Sequence, residues 1–193
     1  MRLRTEGLPA RRRVGLAAAG LLLGLALPAT TLAANIVGTD GNDHLDGTAD
    51  SDTIDALAGS DVVYALAGND VVLAGPGADL VRGGDGNDRI RGGDGPDSLS
   101  GGNGNDWISG GDGLDNVYGG SGDDVVYGGA NADYLVGGFG HDWVSAGYGN
   151  DLIILSGDRT RDAVDCGPGF DVVYAGPHDL AAANCERVVL RAY

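Results

Sequence analysis

The chain has 193 residues, a net charge of −16 and a composition unlike that of a conventional globular domain. It contains 37 Gly and 26 Asp, but two Glu and no Lys, so Arg supplies every basic side chain. Two Phe and one Met leave little bulky apolar material for one large core. The negative charge argues against nucleic-acid binding, because phosphate groups repel it. Asp combined with Gly is instead typical of tight turns and of short oxygen ligands.

The N-terminal segment, residues 1–34, has the features of a secretory signal peptide. Five Arg precede an apolar run over residues 14–28, and Ala33 and Ala34 offer small side chains for cleavage. The alternative is a membrane anchor, for which this run is shorter than the ~20 residues that usually span a bilayer. Arg12 and Arg13 weakly resemble a twin-arginine signal, which leaves the export route open. We therefore predict a secreted, extracellular protein, with attachment to a cell surface left open.

A nine-residue repeat occupies residues 38–154 in thirteen units without an insertion. Four units, GGDGNDRIR, GGDGPDSLS, GGNGNDWIS and GGDGLDNVY, follow one another from residue 83 to 118. Position 6 is Asp and position 8 is aliphatic in all thirteen units. A disordered Gly-rich linker has no reason to keep an aliphatic residue in phase. The repeat therefore predicts an ordered fold.

The period predicts an all-β fold of stacked coils in which two nine-residue units, or about 18 residues, complete one coil. In each unit we expect six Gly-rich residues to form a turn and three residues to form a strand. Coils stack at about 4.8 Å, which places each position 8 over the position 8 two units before it. The predicted division is a signal peptide at 1–34, the roll at 35–154, and degenerate repeats with a C-terminal cap at 155–193.

The same stacking brings aspartates together along both edges of the roll. Asp88 is expected near Asp106, and Asp97 near Asp115. Two carboxylates about 5 Å apart repel by roughly 1 kcal/mol in bulk water and by roughly 3 kcal/mol at an effective dielectric near 20. A hard cation between them reverses this effect, and an all-oxygen ligand set favours calcium. We therefore predict several calcium ions and a fold that is expanded without them.

Residues 38–154 resemble the haemolysin-type calcium-binding repeat (RTX nonapeptide repeat) family, whose members fold into a parallel β-roll with calcium in the turns between units i and i+2. The resemblance implies an all-β parallel β-roll, a right-handed β-solenoid, with ligands from the position 6 aspartates and from turn carbonyls. The implied aspartates are Asp79, Asp88, Asp97, Asp106, Asp115, Asp124, Asp133, Asp142 and Asp151. The implied carbonyls are those of Gly84, Gly86, Gly93, Gly95, Gly102, Gly104, Gly111 and Gly113. The family attaches such rolls to proteases, lipases, toxins and surface-layer proteins, so the resemblance leaves the biological role open.

The first four units depart from the consensus. Units three and four lack the glycine pair, and unit two has Asp50 where the second turn glycine belongs. The sequence therefore leaves open whether the early units hold metal or form an apolar-turn cap that needs none. The aspartates concerned are Asp43, Asp52, Asp61 and Asp70.

The repeat slips by two residues after Ile154 and then resumes in two decayed units. The chain has two cysteines, Cys166 and Cys185, and both lie in this closing segment. With an export signal we predict a disulfide, whereas free thiols would be expected in the cytosol. The bridge would hold a cap over the last coil, whose strand edges are otherwise free to pair.

No motif for catalysis stands out. His44, His141 and His178 are expected on the surface, and the Gly-x-Gly strings precede strands instead of the helix of a phosphate loop. Paired Asp could suggest a glycosidase, but their regular spacing is better explained by metal binding. We do not expect an enzyme.

The outward-facing side chains at position 7 include two tryptophans on one face. Trp107, Val125 and Trp143 are expected to form an apolar ladder beside Tyr127, either as plain cross-strand packing or as a docking site. The leading prediction is a calcium-folded structural or interaction module. The alternatives are an adhesin that binds a cell-surface polymer or glycan and a non-catalytic component of an exported enzyme or toxin. No membrane span is expected after signal cleavage.

Overall fold

The computed structural model describes residues 32–155 and 158–191, which fold into a parallel β-solenoid. The predicted signal peptide at 1–34 lies almost entirely outside the described residues. Within the described ranges there is no helix, and hence none that is long and apolar enough to cross a membrane. The strands are β1 (Asn35–Thr39), β2 (His44–Asp46), β3 (Thr53–Leu57), β4 (Val62–Ala67), β5 (Val71–Pro76), β6 (Leu80–Asp85), β7 (Arg89–Asp94), β8 (Ser98–Asn103), β9 (Trp107–Asp112), β10 (Asn116–Ser121), β11 (Val125–Ala130), β12 (Tyr134–Phe139), β13 (Trp143–Tyr148), β14 (Leu152–Ile154), β15 (Ala163–Asp165), β16 (Val172–Ala175), β17 (Leu180–Ala181) and β18 (Arg187–Leu190).

The described strands form two nine-stranded parallel sheets, one of odd-numbered and one of even-numbered strands. Leu99 on β8 lies beside Val117 on β10, and Val117 lies beside Leu135 on β12, so each coil advances the chain by two nine-residue units. The predicted coil length is therefore confirmed. The two-residue slip is also present, because Val144 on β13 pairs with Val164 on β15, two residues later than the regular register.

The strands are longer than the predicted three residues. In the central units they run through positions 7–9 and continue through positions 1–3 of the next unit, as in Leu80–Asp85. The two consecutive glycines of each unit lie within the strands, where Gly84 on β6 is beside Gly102 on β8. They therefore belong to the sheet and not to the turn. The turn is confined to positions 4–6. Glycine permits this arrangement because a side chain at position 2 would meet the carbonyl of the coil below.

The core is the predicted column of aliphatic side chains. The side chains at position 8 from Ile54 to Ile153 are fully buried, and burying one of them stabilises the fold by about 1.5–3 kcal/mol. Position 1 also points inward. Ala56, Ala65 and Ala74 occupy it in units three to five and are fully buried, so these units fill the core where others have glycine. At position 2 of units three and four, Leu57 and Leu66 adopt left-handed φ angles of 72° and 82°.

The C-terminal segment closes both sheets. β17 ends the odd sheet and β18 ends the even sheet. Cys166, which directly follows β15 and is fully buried, forms a disulfide with Cys185, which lies between the two final strands. The predicted disulfide-stapled cap is therefore confirmed.

The close approach of successive coils predicts a strong effect of an added methyl group at position 2. In Gly102→Ala, the new Cβ would collide with the Gly84 carbonyl oxygen at a φ of 122°. We expect the free energy of unfolding to fall by about 2 kcal/mol or more, measured by urea unfolding in saturating calcium. Gly41→Ala is the matched control, because its nearest neighbour is Thr39 Oγ1 at 3.8 Å. Equal unfolding midpoints for the two variants would contradict this packing of the coils.

The bridge between Cys166 and Cys185 spans 19 residues of sequence, so its removal should loosen the cap. The double variant Cys166→Ala/Cys185→Ala is expected to lose about 3 kcal/mol of stability, since the unfolded chain gains conformational freedom. Urea unfolding with and without a reducing agent measures this loss. The reducing agent should lower the midpoint of the native chain and leave that of the double variant unchanged.

Candidate metal centre in the aspartate columns

The position 6 aspartates form two columns, one along each edge of the roll. Each Asp ends its turn immediately before a strand, with its carboxylate turned inward. From Asp52 to Asp171 these side chains are between 0% and 3% exposed. Each backbone N–H donates to Oδ1 of the Asp in the next coil, as from Asp88 to Asp106 at 2.7 Å and from Asp97 to Asp115 at 2.9 Å. The predicted neighbours are therefore in contact.

The second carboxylate oxygen of most of these aspartates has no partner. Within the part of the chain that the structure describes, thirteen buried Oδ2 atoms at position 6 accept no hydrogen bond: those of Asp61, Asp70, Asp79, Asp88, Asp97, Asp106, Asp115, Asp124, Asp133, Asp142, Asp151, Asp162 and Asp171. A buried carboxylate oxygen without a partner is costly, because it has lost its water. Such a regular series of orphaned acceptors indicates that a positively charged group belongs beside them.

The space beside these atoms is lined by further oxygens. A Cβ built on Gly83 would clash with Oδ2 of Asp88 and would lie 2.6 Å from the carbonyl oxygen of Gly101 in the next coil. Gly92 faces Asp97 and the Gly110 carbonyl in the same way. A carboxylate oxygen and a carbonyl oxygen therefore converge where glycine leaves room. This all-oxygen set fits a hard cation such as calcium and does not fit soft metals.

Side chains alone do not form a complete coordination shell. Among the described residues, no three His, Cys, Asp or Glu side chains converge on one point. Backbone carbonyls would therefore have to supply the remaining ligands, which is common in calcium sites.

Burial raises the pKa of the column aspartates from Asp61 to Asp171. The pKa of Asp106 is raised to about 7, chiefly by burial and further by the Asp88 carboxylate, while the Asp88 backbone hydrogen bond lowers it. The pKa values of Asp97, Asp124, Asp133 and Asp162 are also raised to about 7, and those of Asp70, Asp142 and Asp151 to about 6. Without a cation, the folded chain therefore resists having these carboxylates charged.

The turn carbonyls implied by the family resemblance lie against the next coil. The carbonyl oxygens of Gly84, Gly86, Gly93 and Gly95 face Gly102, Gly104, Gly111 and Gly113. At position 1, the carbonyl oxygens of Gly101, Gly110, Gly119, Gly128 and Gly137 approach the orphaned Oδ2 atoms. These five residues are therefore candidate ligands in addition to the implied turn carbonyls. The glycine at position 1 is the sequence signal for them.

The early units differ among themselves. In units one and two, Thr39 and Thr48 donate their backbone N–H groups to Oδ2 of Asp43 and Asp52, each at 2.5 Å, and their hydroxyls bind the same carboxylates. Asp61 and Asp70 in units three and four have no such donor to Oδ2 among the described residues. In the sequence, threonine at position 2 distinguishes units one and two from units three and four.

The cap continues both columns beyond the thirteen units. Asp162 and Asp171, which were not among the predicted ligands, repeat the column geometry with Asp142 and Asp151 at 3.0 and 2.8 Å. Their own N–H groups then donate to carboxylates of the cap, Asp162 to Asp179 at 3.2 Å and Asp171 to Glu186 at 3.0 Å. Asp179 and Glu186 thus occupy the place of the next coil's aspartate.

One edge of the roll carries an additional polar ladder at position 5. The side chains of Ser51, Asn69, Asn87, Asn105 and Asp123 each accept the backbone N–H of the corresponding residue in the next coil. On the other edge, bonds of this kind occur at the two ends, where the Ser60 N–H donates to Asn42 and the Phe170 N–H donates to Asn150. The central units of that edge have Ala78, Pro96, Leu114 and Ala132 at position 5. Each bond contributes about 1 kcal/mol, so this ladder supports one edge independently of any metal.

The predicted aromatic face is assembled on the odd sheet. Val125 lies between Trp107 and Trp143 in register, and the rings of Trp107 and Tyr127 are 5.6 Å apart. The predicted surface histidines also have neighbours: His44 lies 3.4 Å from Asp46, and His141 is at the end of the position 5 ladder.

The raised pKa values predict how the stability of the metal-free fold depends on pH. A folded pKa above the unfolded value near 3.8 stabilises the fold fully below about pH 4, and this contribution is lost as the pH rises through about 6 to 7. In chelator, far-UV circular dichroism should therefore show more β-structure at pH 5 than at pH 8. Equal or greater β-structure at pH 8 would contradict the burial of the carboxylates.

Comparison with known protein families agrees with this geometry. The family described as RTX calcium-binding nonapeptide repeat (4 copies) matches residues 37–72, 64–99, 91–126, 100–135 and 127–162. These overlapping ranges cover well over half of the 193 residues. No curated protein matches the chain. The chain therefore belongs to the RTX calcium-binding nonapeptide repeat family, whose repeat forms a structural calcium-binding module.

Proposed function

We propose that the protein is an extracellular β-roll that calcium folds and holds rigid, and that it acts as a structural or interaction module. The observation that carries this proposal is the series of thirteen buried Oδ2 atoms that lack a hydrogen-bond partner along the described columns. A chain whose fold buries that many unpaired carboxylate oxygens needs cations to be stable at neutral pH.

Carboxylate oxygens and backbone carbonyls have different roles in the proposed calcium sites. Oδ2 of each column aspartate from Asp61 to Asp171 is the proposed side-chain ligand, and position 1 carbonyls such as that of Gly101 are proposed to complete the set. The hydrogen bond from the neighbouring coil to Oδ1 fixes the orientation of each carboxylate. Calcium would supply the positive charge that offsets carboxylate repulsion. Asp43 and Asp52 are the weakest candidates, because Thr39 and Thr48 already satisfy their Oδ2 atoms.

An extracellular setting is consistent with the rest of the chain. The segment 1–34 has the composition of a secretory signal, and the disulfide between Cys166 and Cys185 suits an oxidising compartment. Extracellular calcium modules bind with dissociation constants of about 10⁻⁴ to 10⁻³ M, so such a roll would remain unfolded before export and fold outside. The position 5 ladder and the disulfide would then limit how far the chain expands when calcium is scarce.

The direct test is a calcium titration of the chain lacking residues 1–34, followed by far-UV circular dichroism. We expect β-structure to increase over the micromolar to roughly 10 mM range, with little response to magnesium, which tolerates such flexible carbonyl-rich sites poorly. A chain that is already fully folded in chelator, or that responds equally to both ions, would refute calcium-driven folding.

A single substitution tests the assignment of the column aspartates. Asp106→Asn keeps an Oδ1 acceptor for the Asp88 N–H but removes the charge and the free oxygen. The calcium midpoint should rise by roughly threefold to tenfold, which corresponds to about 1 kcal/mol. The control is Asp112→Asn, which removes the same charge from an exposed side chain. Equal midpoints for the two variants would show that the column aspartates do not bind calcium.

A further inference from the structure

The outer face of the odd sheet contrasts with the acidity of the chain. From β5 to β13, ten side chains at positions 7 and 9 line this face: Val71, Leu73, Arg89, Arg91, Trp107, Ser109, Val125, Tyr127, Trp143 and Ser145. None of them is acidic, although the chain carries a net charge of −16. Two are cations and three are aromatic. We call these ten residues the Arg/Trp face.

Its centre is an aromatic ring with two cations beside it. The guanidinium carbons of Arg89 and Arg91 lie 5.9 and 5.5 Å from the centre of a Trp107 ring, and Tyr127 packs against the same tryptophan from the next strand. Within the described part of the chain, neither arginine forms an ion pair; the ion pair found there joins His44 and Asp46. The hydrogen-bond donors of both guanidinium groups therefore remain available to an acidic ligand.

Next to Trp107 the surface forms a shallow, open depression of about 400 Å³. Arg91, Trp107 and Ser109 line one side, glycine backbone forms part of the floor, and Asp94 and Asp112 stand at the turn edge. The depression therefore offers a flat ring, guanidinium donors and carboxylate acceptors within one site. The arginines would attract an anion, and the two exposed aspartates can accept hydrogen bonds from hydroxyl groups.

We propose that the Arg/Trp face binds an acidic polysaccharide, a chain of pyranose rings that carries carboxylate groups. Sugar rings present C–H groups that pack on aromatic rings, and Trp107 and Trp143 are two strands apart, or about 10 Å. This distance corresponds to alternate sugars of an extended chain. Arg89 and Arg91 bind the carboxylates through paired N–H donors, and Asp94 and Asp112 accept hydroxyl hydrogens.

Other occupants fit this surface less well. A nucleic acid would present phosphates to Asp94 and Asp112 and to the acidic edges of the roll. An apolar peptide would bury two arginines without a counter-charge. The proposal requires the folded roll, and thus rests on the proposed calcium-dependent fold.

The two tryptophans on this face are the only ones in the chain, so intrinsic fluorescence reports directly on it. The experiment titrates the calcium-loaded chain lacking residues 1–34 with hyaluronan hexasaccharide, in which every second sugar carries a carboxylate. Chitin hexasaccharide, which lacks carboxylates, is the matched ligand. We expect a saturable change in tryptophan emission with hyaluronan, weakening as salt increases, and at least tenfold weaker binding of chitin.

The double variant Arg89→Gln/Arg91→Gln should bind hyaluronan at least tenfold more weakly. The control Arg82→Gln removes one arginine from the opposite sheet, where Arg82 lies 5.5 Å from the centre of the Tyr64 ring, and should bind like the native chain. The paired tryptophan variant Trp107→Ser/Trp143→Ser, followed by calorimetry, should lose binding and keep its calcium-induced circular dichroism signal.

No saturable response to hyaluronan would overturn the proposal, as would equal binding of the two hexasaccharides or an unaffected double arginine variant. Circular dichroism of the same samples separates this result from failure of the proposed function. A roll that folds with calcium but does not bind refutes the saccharide proposal alone, whereas a chain that ignores calcium refutes the calcium proposal.

Discussion

The rest of this structure depends on the burial of a carboxylate in every turn. An aliphatic column alone could form a stack of coils, but each coil also turns an Asp inward beside the Asp of the next. One oxygen of each carboxylate is satisfied by a backbone N–H, and the other is left without a partner along most of both described columns. This arrangement is unfavourable without a cation. Under the proposed function, it links the stability of the fold to calcium and to pH.

Both ends of the roll replace that interaction by other means. At the N-terminal end, Thr39 and Thr48 donate to the carboxylates of Asp43 and Asp52. At the C-terminal end, Asp179 and Glu186 accept the N–H groups that would otherwise bind the next coil. The disulfide fixes the segment that carries them. At each end, contacts within the chain itself therefore satisfy the polar groups of the last column aspartates.

The edges of the roll hold the aspartate columns and its interior holds the aliphatic column. The residue types on the two outer sheet faces are therefore less constrained by the fold. The side chains at positions 7 and 9 point away from the aliphatic column and do not contribute to the aspartate columns. The Arg/Trp face occupies one of these surfaces, while the opposite sheet carries Tyr118 and Tyr134 in contact at 5.9 Å. The side chains of an outer face can therefore differ without altering the aspartates of the two columns.

The sequence by itself determined the coil length, the aliphatic column, the pairing of each aspartate with the one two units later, and the two-residue slip. These features follow from a strict period, because a repeat of nine residues can bury one aliphatic side chain per unit in only a few ways. It also indicated the disulfide, since the two cysteines have no other partner. Only the tertiary structure decided which oxygens meet. The glycine pair lies in the strands and not in the turns, which brings position 1 carbonyls close to the orphaned Oδ2 atoms. The roles of Thr39, Thr48, Asp179 and Glu186 were likewise decided by contacts between coils, which a linear pattern does not contain because each depends on the direction of a single side chain or carbonyl.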